Sequence, residues 1–346
     1  MPSLNETPSA NRIHIGFFGL RNAGKSTLVN QFCSQDVAIV SGTPGTTTDP
    51  VSKAMEILPL GPCVITDTAG LDDEGELGEL RVKKTLAALS RTDVAVWVGP
   101  GFEKWKSEFT VPVVRFNRGD SVEELKSKIA AVKIDDEPSL LEGLVSEGDK
   151  VVLVCPIDES APKGRLILPQ VQTIRECLDR RAVAVVCQIS QLAVNLEGCR
   201  LVVTDAQAYA PVREIVKGKC VKVISFSELF ARQKGDIEEY GKALSAIEGL
   251  KDGDKVLVAE GCTHHRQCND IGKVKIPRAL EKLSGAKLEY VFSSGKSFDI
   301  EDDVKFIVHC GGCMLTRREV QGRVKKAKER SIPILNYGML LSQIGA

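Results

Sequence analysis

The sequence predicts an α/β protein of three successive domains on mostly parallel sheets, a P-loop domain first and two smaller α/β domains after it. Three observations carry this expectation. Apolar strand-like runs alternate with amphipathic helical runs, and the alternation starts afresh near residues 150 and 251. A strand, a glycine-rich loop and a helix follow one another near the N-terminus. Two clusters of cysteine and histidine each begin where an apolar run ends. With 346 residues and about 150 per domain as a guide, the expected domains are 1–140, 141–250 and 251–346.

Composition narrows the function. The hydrophobic share of 43% and the charged share of 27% are those of an ordinary globular protein. Acidic and basic residues balance at 46 each, and a chain devoted to nucleic acid or anionic membrane usually carries a basic surplus. The opening "MPSLNETPSANR" lacks the apolar core of an export signal, and no apolar run reaches the length of a membrane span. A cytoplasmic protein with no nucleic-acid or membrane partner is therefore expected. In that compartment the 11 cysteines are thiols or ligands rather than disulfides. Cys63, Cys155 and Cys187 lie inside apolar runs and are expected as small buried hydrophobes.

In chain order, "RIHIGFFGLRNAGKSTLVNQF" comes first. Its Gly19-Leu20-Arg21-Asn22-Ala23-Gly24-Lys25-Ser26 fits G-x-x-x-x-G-K-S/T between a strand and a helix, with Thr27 the next helical residue. Such a loop turns backbone N–H groups inward around phosphates, and the helix N-terminus adds a favourable dipole. Lys25 would reach the β- and γ-phosphates and Ser26 would ligate Mg²⁺. "CVITDTAG" then delivers Asp67, which holds Mg²⁺ through water, and Gly70, which senses the γ-phosphate. "VPVVRFNRGD" ends in Asn117-Arg118-Gly119-Asp120, similar to the guanine-reading N-K-x-D of GTPases but with arginine in the lysine position. Asp120 would accept the guanine N1 and N2 protons. The order implies a Ras-like GTPase domain binding GTP and Mg²⁺.

Gly45-Thr46-Thr47-Thr48-Asp49 resembles the switch loop of the tRNA-modification GTPases, which makes Thr47 the candidate that closes on Mg²⁺. Asn22 falls where potassium-activated members of that clade help bind K⁺. Leu71, not a water-positioning glutamine, follows Gly70, so intrinsic hydrolysis is expected to be slow. An acid in "LDDEGELGEL" would assist, and Glu79 is the candidate.

The middle third reads as further strands and helices, with one helical stretch from Glu228 to Leu250. Lys163, Gly164 and Arg165 lack the G-K-S/T pattern and are read as a turn entering a helix. A domain without site chemistry commonly positions others or forms an oligomer interface.

The last third answers for the cysteines. "DKVLVAEGCTHHRQC" and "VKFIVHCGGC" are both strands that run out into ligand-type residues, Cys262 and His264 in one, His309, Cys310 and Cys313 in the other. Ligands of open α/β sheets bind beyond the carboxyl ends of strands, so the fold brings the clusters together. Residue types alone leave zinc and a 4Fe-4S cluster both open.

Cys262-x-His264, a long spacer and His309-Cys310-x-x-Cys313 resemble the signature of the [FeFe]-hydrogenase maturation GTPases, the HydF family. "GLRNAGKS", "DTAGLDDEGELGELR", "PIDESAPKGRLILPQVQTIRECLDR" and "IPILNYG" are similar to that family too. The resemblance implies a GTPase domain, a dimerisation domain and a cluster-binding domain, acting as a homodimer. It implies a scaffold that carries the diiron subcluster precursor, made with two radical-SAM maturases, to apo-[FeFe]-hydrogenase. It also implies that Cys262, Cys310 and Cys313 ligate a 4Fe-4S cluster, with His264 and His309 as candidates beside it. The alternative is a tRNA-modification-like or ribosome-associated GTPase with a zinc-binding C-terminal domain.

Overall fold

The computed structural model describes residues 7, 9–34, 50–134, 138–157, 164, 166–261, 271–295 and 298–344. The chain divides into two compact units, Met1–Asp136 and Glu137–Ala346. Among the described residues, no helix is long and apolar enough to cross a membrane.

The first unit runs β1 (Ile13–Gly19), α1 (Lys25–Ser34), β2 (Val51–Ile57), β3 (Gly61–Asp67), α2 (Glu76–Leu89), β4 (Val94–Val98), β5 (Val113–Phe116) and α3 (Val122–Ala130). Its five-stranded sheet has the order β2-β3-β1-β4-β5, with β2 antiparallel and the rest parallel. A sheet covered on both faces needs apolar side chains on both, which is why β1 reads as a continuous hydrophobic run. Phe17 packs edge-on against Phe32 in one core, while its neighbour Phe18 joins Trp97 and Phe109 in the other. The parallel strands bring Gly19, Asp67 and Phe116 to the same edge of the sheet.

The second unit contains β6 (Lys150–Val154), α4 (Leu168–Asp179), β7 (Val183–Cys187), α5 (Leu192–Asn195), β8 (Cys199–Thr204), α6 (Tyr209–Val216), β9 (Lys222–Ser225), α7 (Phe226–Lys234) and α8 (Ile237–Ala246). It continues with β10 (Lys255–Glu260), α9 (Ile276–Ser284), β11 (Glu289–Ser294), β12 (Val304–His309), α10 (Arg317–Glu329), β13 (Ile334–Asn336) and α11 (Tyr337–Ile344). Two parallel four-stranded sheets result, ordered β7-β6-β8-β9 and β11-β10-β12-β13. Both sheets belong to one unit because α7, which follows β9, packs against α10 and α11 of the second sheet.

One expected helix is two. The stretch read as continuous from Glu228 is broken at Gly235, where α7 ends, and Asp236 starts α8 by accepting the Glu239 N–H at 3.2 Å. An aspartate in that position satisfies a backbone donor that the first turn of a helix leaves unpaired.

Candidate functional site

The loop between β1 and α1 is shaped by two left-handed residues, Asn22 (φ 58°) and Gly24 (φ 90°). Alternating backbone handedness of this kind gathers N–H groups into an anion-binding hollow, and asparagine tolerates the conformation better than most side chains. The hollow opens into a pocket of about 470 Å³ lined by residues 21–27, 67–70, 73 and 81. Asn22, Ala23, Gly24, Lys25, Ser26, Thr27, Asp67 and Gly70, all expected from the sequence, share this lining. Gly19 ends β1 beneath it, and a Cβ there would lie 2.5 Å from the Val98 carbonyl oxygen.

Lys25 is 7% exposed, and its Nζ donates to the carbonyls of Gly19 at 3.2 Å and Leu20 at 2.7 Å. Burial pushes its pKa down, against the opposing pull of the Asp67, Asp72 and Asp73 carboxylates. A buried amine held by carbonyls in an open pocket can exchange those acceptors for phosphate oxygens. Asp67 ends β3 with Oδ1 buried and lacking a hydrogen-bond partner among the described residues. Asp67 and Ser26 both line the cavity, and a carboxylate beside a hydroxyl fits Mg²⁺. Thr47, the third residue expected at the ion, lies outside the described residues.

The loop after β3 touches the P-loop directly. A Cβ at Gly70 would lie 2.7 Å from the Arg21 nitrogen, so only glycine fits. The Arg21 N–H donates to Asp72 Oδ1 at 2.5 Å, and Asp73 lies 3.9 Å from Arg21 Nε and 3.7 Å from Arg81 Nη1. Glu79 is exposed on the first turn of α2 and does not line the pocket, whereas Asp73 and Arg81 do. Both stand in the same "LDDEGELGELR" stretch, where a sequence shows many charges and not which way they face.

Asn117 and Asp120, expected from the sequence to read guanine, follow β5 at the shared edge. Asn117 N–H donates to Asp120 Oδ2 at 2.7 Å, and Asp120 N–H to the Asn117 carbonyl at 3.1 Å. The turn is thus closed on itself, with Asn117 and Arg118 exposed and Asp120 half-buried.

The second candidate region is the loop from β12 to α10. Cys310 Sγ accepts the Gly261 N–H at 3.1 Å, which ties the end of β12 to the end of β10. Asn336 Nδ2 donates to the Cys310 carbonyl at 3.3 Å. Lys234, 1% exposed at the end of α7, donates Nζ to the carbonyls of Leu315 at 2.7 Å and Gly312 at 3.4 Å. Thr316 caps α10 through a reciprocal pair with Glu319. Cys310 and Cys313 are free and half-buried. Burial, with Cys310 close by, pushes the Cys313 thiol up to about 11, and Lys234 opposes that shift. Such a thiolate is stabilised only beside positive charge.

His309 does not share this loop's surface. It is fully buried, its Nε2 is 2.8 Å from Tyr240 Oη, and Nδ1 has no partner among the described residues. Burial, with the Arg323 guanidinium adding to it, pushes the imidazole down to about 3. Cys262 and His264 lie outside the described residues. Among the described residues, no three side chains of His, Cys, Asp or Glu group closely enough to hold a metal. Cys310 and Cys313, in the loop that leads into α10, are two thiols of the kind that iron–sulfur clusters and zinc both accept.

Three successive segments of the chain match known domains. Residues 14–133 match a domain model described as 50S ribosome-binding GTPase. Residues 140–235 match the hydrogen maturase F dimerization domain, and residues 238–346 the hydrogen maturase F tetramerization domain. The tRNA modification GTPase MnmE of Zymomonas mobilis is 31% identical over 174 residues, covering 48% of this chain and 38% of its own length. GTPase Der of Xylella fastidiosa (strain M23) is 43% identical over 89 residues, covering 25% of this chain and 19% of its own. The chain thus spans less than half the length of either relative. Among solved structures, an Era variant of Aquifex aeolicus bound to GDP and AlF4⁻ is 17% identical, covering 81% of this chain and 93% of that one, at a TM-score of 0.25.

Proposed function

The chain belongs to the hydrogen maturase F family, and from that premise we propose that it is a GTP-hydrolysing scaffold for a metal cluster. In this reading Cys262, Cys310 and Cys313 hold a 4Fe-4S cluster, and the chain delivers a diiron subcluster precursor to apo-[FeFe]-hydrogenase. Three thiolates leave one iron for an exchangeable ligand, which is where cargo or His264 would attach. His309, held by Tyr240 behind the strand, supports the loop rather than reaching the iron. The two radical-SAM maturases supply the precursor, the cytoplasm is the site of action, and the domain names suggest that copies of the chain assemble through residues 140–346.

The observation that carries the proposal is the loop itself. Two free cysteines stand at a parallel strand end, and the backbone between and beyond them is held by Lys234 and Asn336. That is more support than a surface turn needs. On the nucleotide side, Lys25, Ser26, Asp67 and Gly70 serve GTP and Mg²⁺, Thr47 closes on the ion, Asn117 and Asp120 read guanine, and Asn22 helps bind K⁺.

The test is anaerobic purification of the wild type and of Cys262→Ala, Cys310→Ala and Cys313→Ala. Iron per chain, GTP turnover in K⁺ and in Na⁺, and hydrogen evolution after mixing with precursor-making maturases and apo-hydrogenase are measured. About four irons per wild-type chain are expected, and each alanine variant should lose most of them. The same variants should stop activating hydrogenase and keep near-normal GTP turnover, which is faster in K⁺. Variants that retain iron, or activate hydrogenase without it, defeat the proposal. Colourless wild type with one zinc favours the tRNA-modification-like reading.

A further inference from the structure

We propose that Arg81 is the cation that neutralises charge on the γ-phosphate during GTP hydrolysis, leaving Asp73 for the phosphate when nucleotide binds. The proposal deepens the nucleotide reading above and rests on it.

Arg81 stands in the second turn of α2, outside the three motifs that identify the nucleotide site, yet it lines the same cavity as Lys25, Asp67 and Gly70. A guanidinium carries five donors, and those not paired with protein are available to an anion. Here Nε is buried without a hydrogen-bond partner among the described residues, and the ion pair from Nη1 to Asp73 Oδ2 is 3.7 Å, too long for a hydrogen bond. The side chain is 32% exposed, so it is neither fully packed nor free in solvent. It is held near the pocket and under-used.

Its partner explains why. Asp72 accepts a P-loop N–H, and Asp73 lies beside both Arg21 and Arg81. A γ-phosphate calls on this same set of groups, a loop N–H and nearby cations. When a phosphate replaces the carboxylates, it inherits their cations, Arg81 among them. The chain also has a need that Arg81 fills. Leu71 has no side-chain amide to hold the attacking water, its backbone N–H donates to the Gly19 carbonyl, and Glu79 lies outside the cavity. Among the described residues, Arg21, Lys25 and Arg81 are the cations that line the cavity, and the Arg21 side chain is 71% exposed where that of Arg81 is 32% exposed. In the step itself the water oxygen bonds to Pγ, the bond from Pγ to the bridging oxygen breaks with its electron pair going to GDP, and one water proton passes to a γ-oxygen of the departing phosphate. Arg81 donates N–H bonds to the γ-oxygens and loses no proton.

The competing role is structural, with Arg81 merely pinning α2 to Asp73. The experiment compares wild type, Arg81→Ala and Arg81→Lys in the full chain with Mg²⁺ and K⁺. It reads kcat, KM, GDP affinity, melting temperature and the formation of a GDP–aluminium fluoride complex. Arg81→Ala should lower kcat on the order of 10³-fold, as in-cis arginines of phosphoryl transfer do, with KM and GDP affinity nearly unchanged. It should also abolish the fluoride complex, which mimics the transition state and not GDP. Arg81→Lys should recover only part of kcat, because an ammonium lacks the guanidinium fork. Unchanged kcat in Arg81→Ala overturns the proposal, as does a loss of GDP affinity and melting temperature that matches the loss of kcat. Wild type that binds GTP without hydrolysing it overturns the nucleotide reading instead.

Discussion

Lys25 and Lys234 are two buried lysines that do the same thing with opposite consequences. Each lies under a glycine-bearing loop that follows a parallel strand, and each donates to two carbonyls of that loop. Lys25 starts the helix that its own loop enters, and its carbonyls are five and six residues back. Lys234 comes from α7, with its carbonyls 78 and 81 residues away in sequence. The first lysine faces a cavity, so an anion can compete for it. The second is enclosed, so its bonds stay made. The local lysine stays open to a ligand, and the distant one fixes a loop.

The largest break in that comparison should come from Lys25→Ala. Turnover should fall by more than about 10³-fold, roughly 4 kcal/mol of barrier, while the melting temperature hardly moves. Turnover within a few-fold of wild type would remove Lys25 from the chemistry. Lys234→Met should do the reverse. Two buried carbonyls lose their donor, which costs about 2–4 kcal/mol in denaturant unfolding of the second unit, with GTP turnover at the wild-type rate. An unchanged unfolding midpoint would mean that the loop stands without it. Arg118→Lys sharpens the comparison beyond β5, since it restores the lysine of N-K-x-D, whose stem can lie over guanine. GTP binding, followed by fluorescence or calorimetry, should tighten by about 1 kcal/mol, and no change would locate the base elsewhere.

The lining of the first pocket was legible because the P-loop motif is also a backbone recipe. A strand, a loop with glycines at set positions and a helix fix Lys25, Ser26 and Asp67 through interactions a few residues long, and each lines the cavity as expected. The strand set was legible for a similar reason, since parallel strands covered on both faces read as apolar runs. Lys234 was not legible. "ARQKGD" shows a lysine at a helix end before a glycine, and its partners lie more than 70 residues on. His309 was legible as a strand end but not as a buried residue bound to Tyr240, because its partner lies 69 residues away and β12 is buried along nearly its whole length. Arg81 and Asp73 were hidden among charges whose orientation depends on the packing of α2.

Lys234 lies in the stretch that matches one domain model, and the loop it holds lies in the stretch that matches the next. The seam is tight as well as shared, for a Cβ at Gly311 would come within 2.6 Å of Ser227 Oγ on α7. Residues 236–237 are thus a border between sequence modules that the folded chain does not respect. A chimera that takes residues 238–346 alone inherits the cysteines and leaves their support behind. Recombination that moves this module intact has to carry α7 with it, and that makes the two segments one heritable piece.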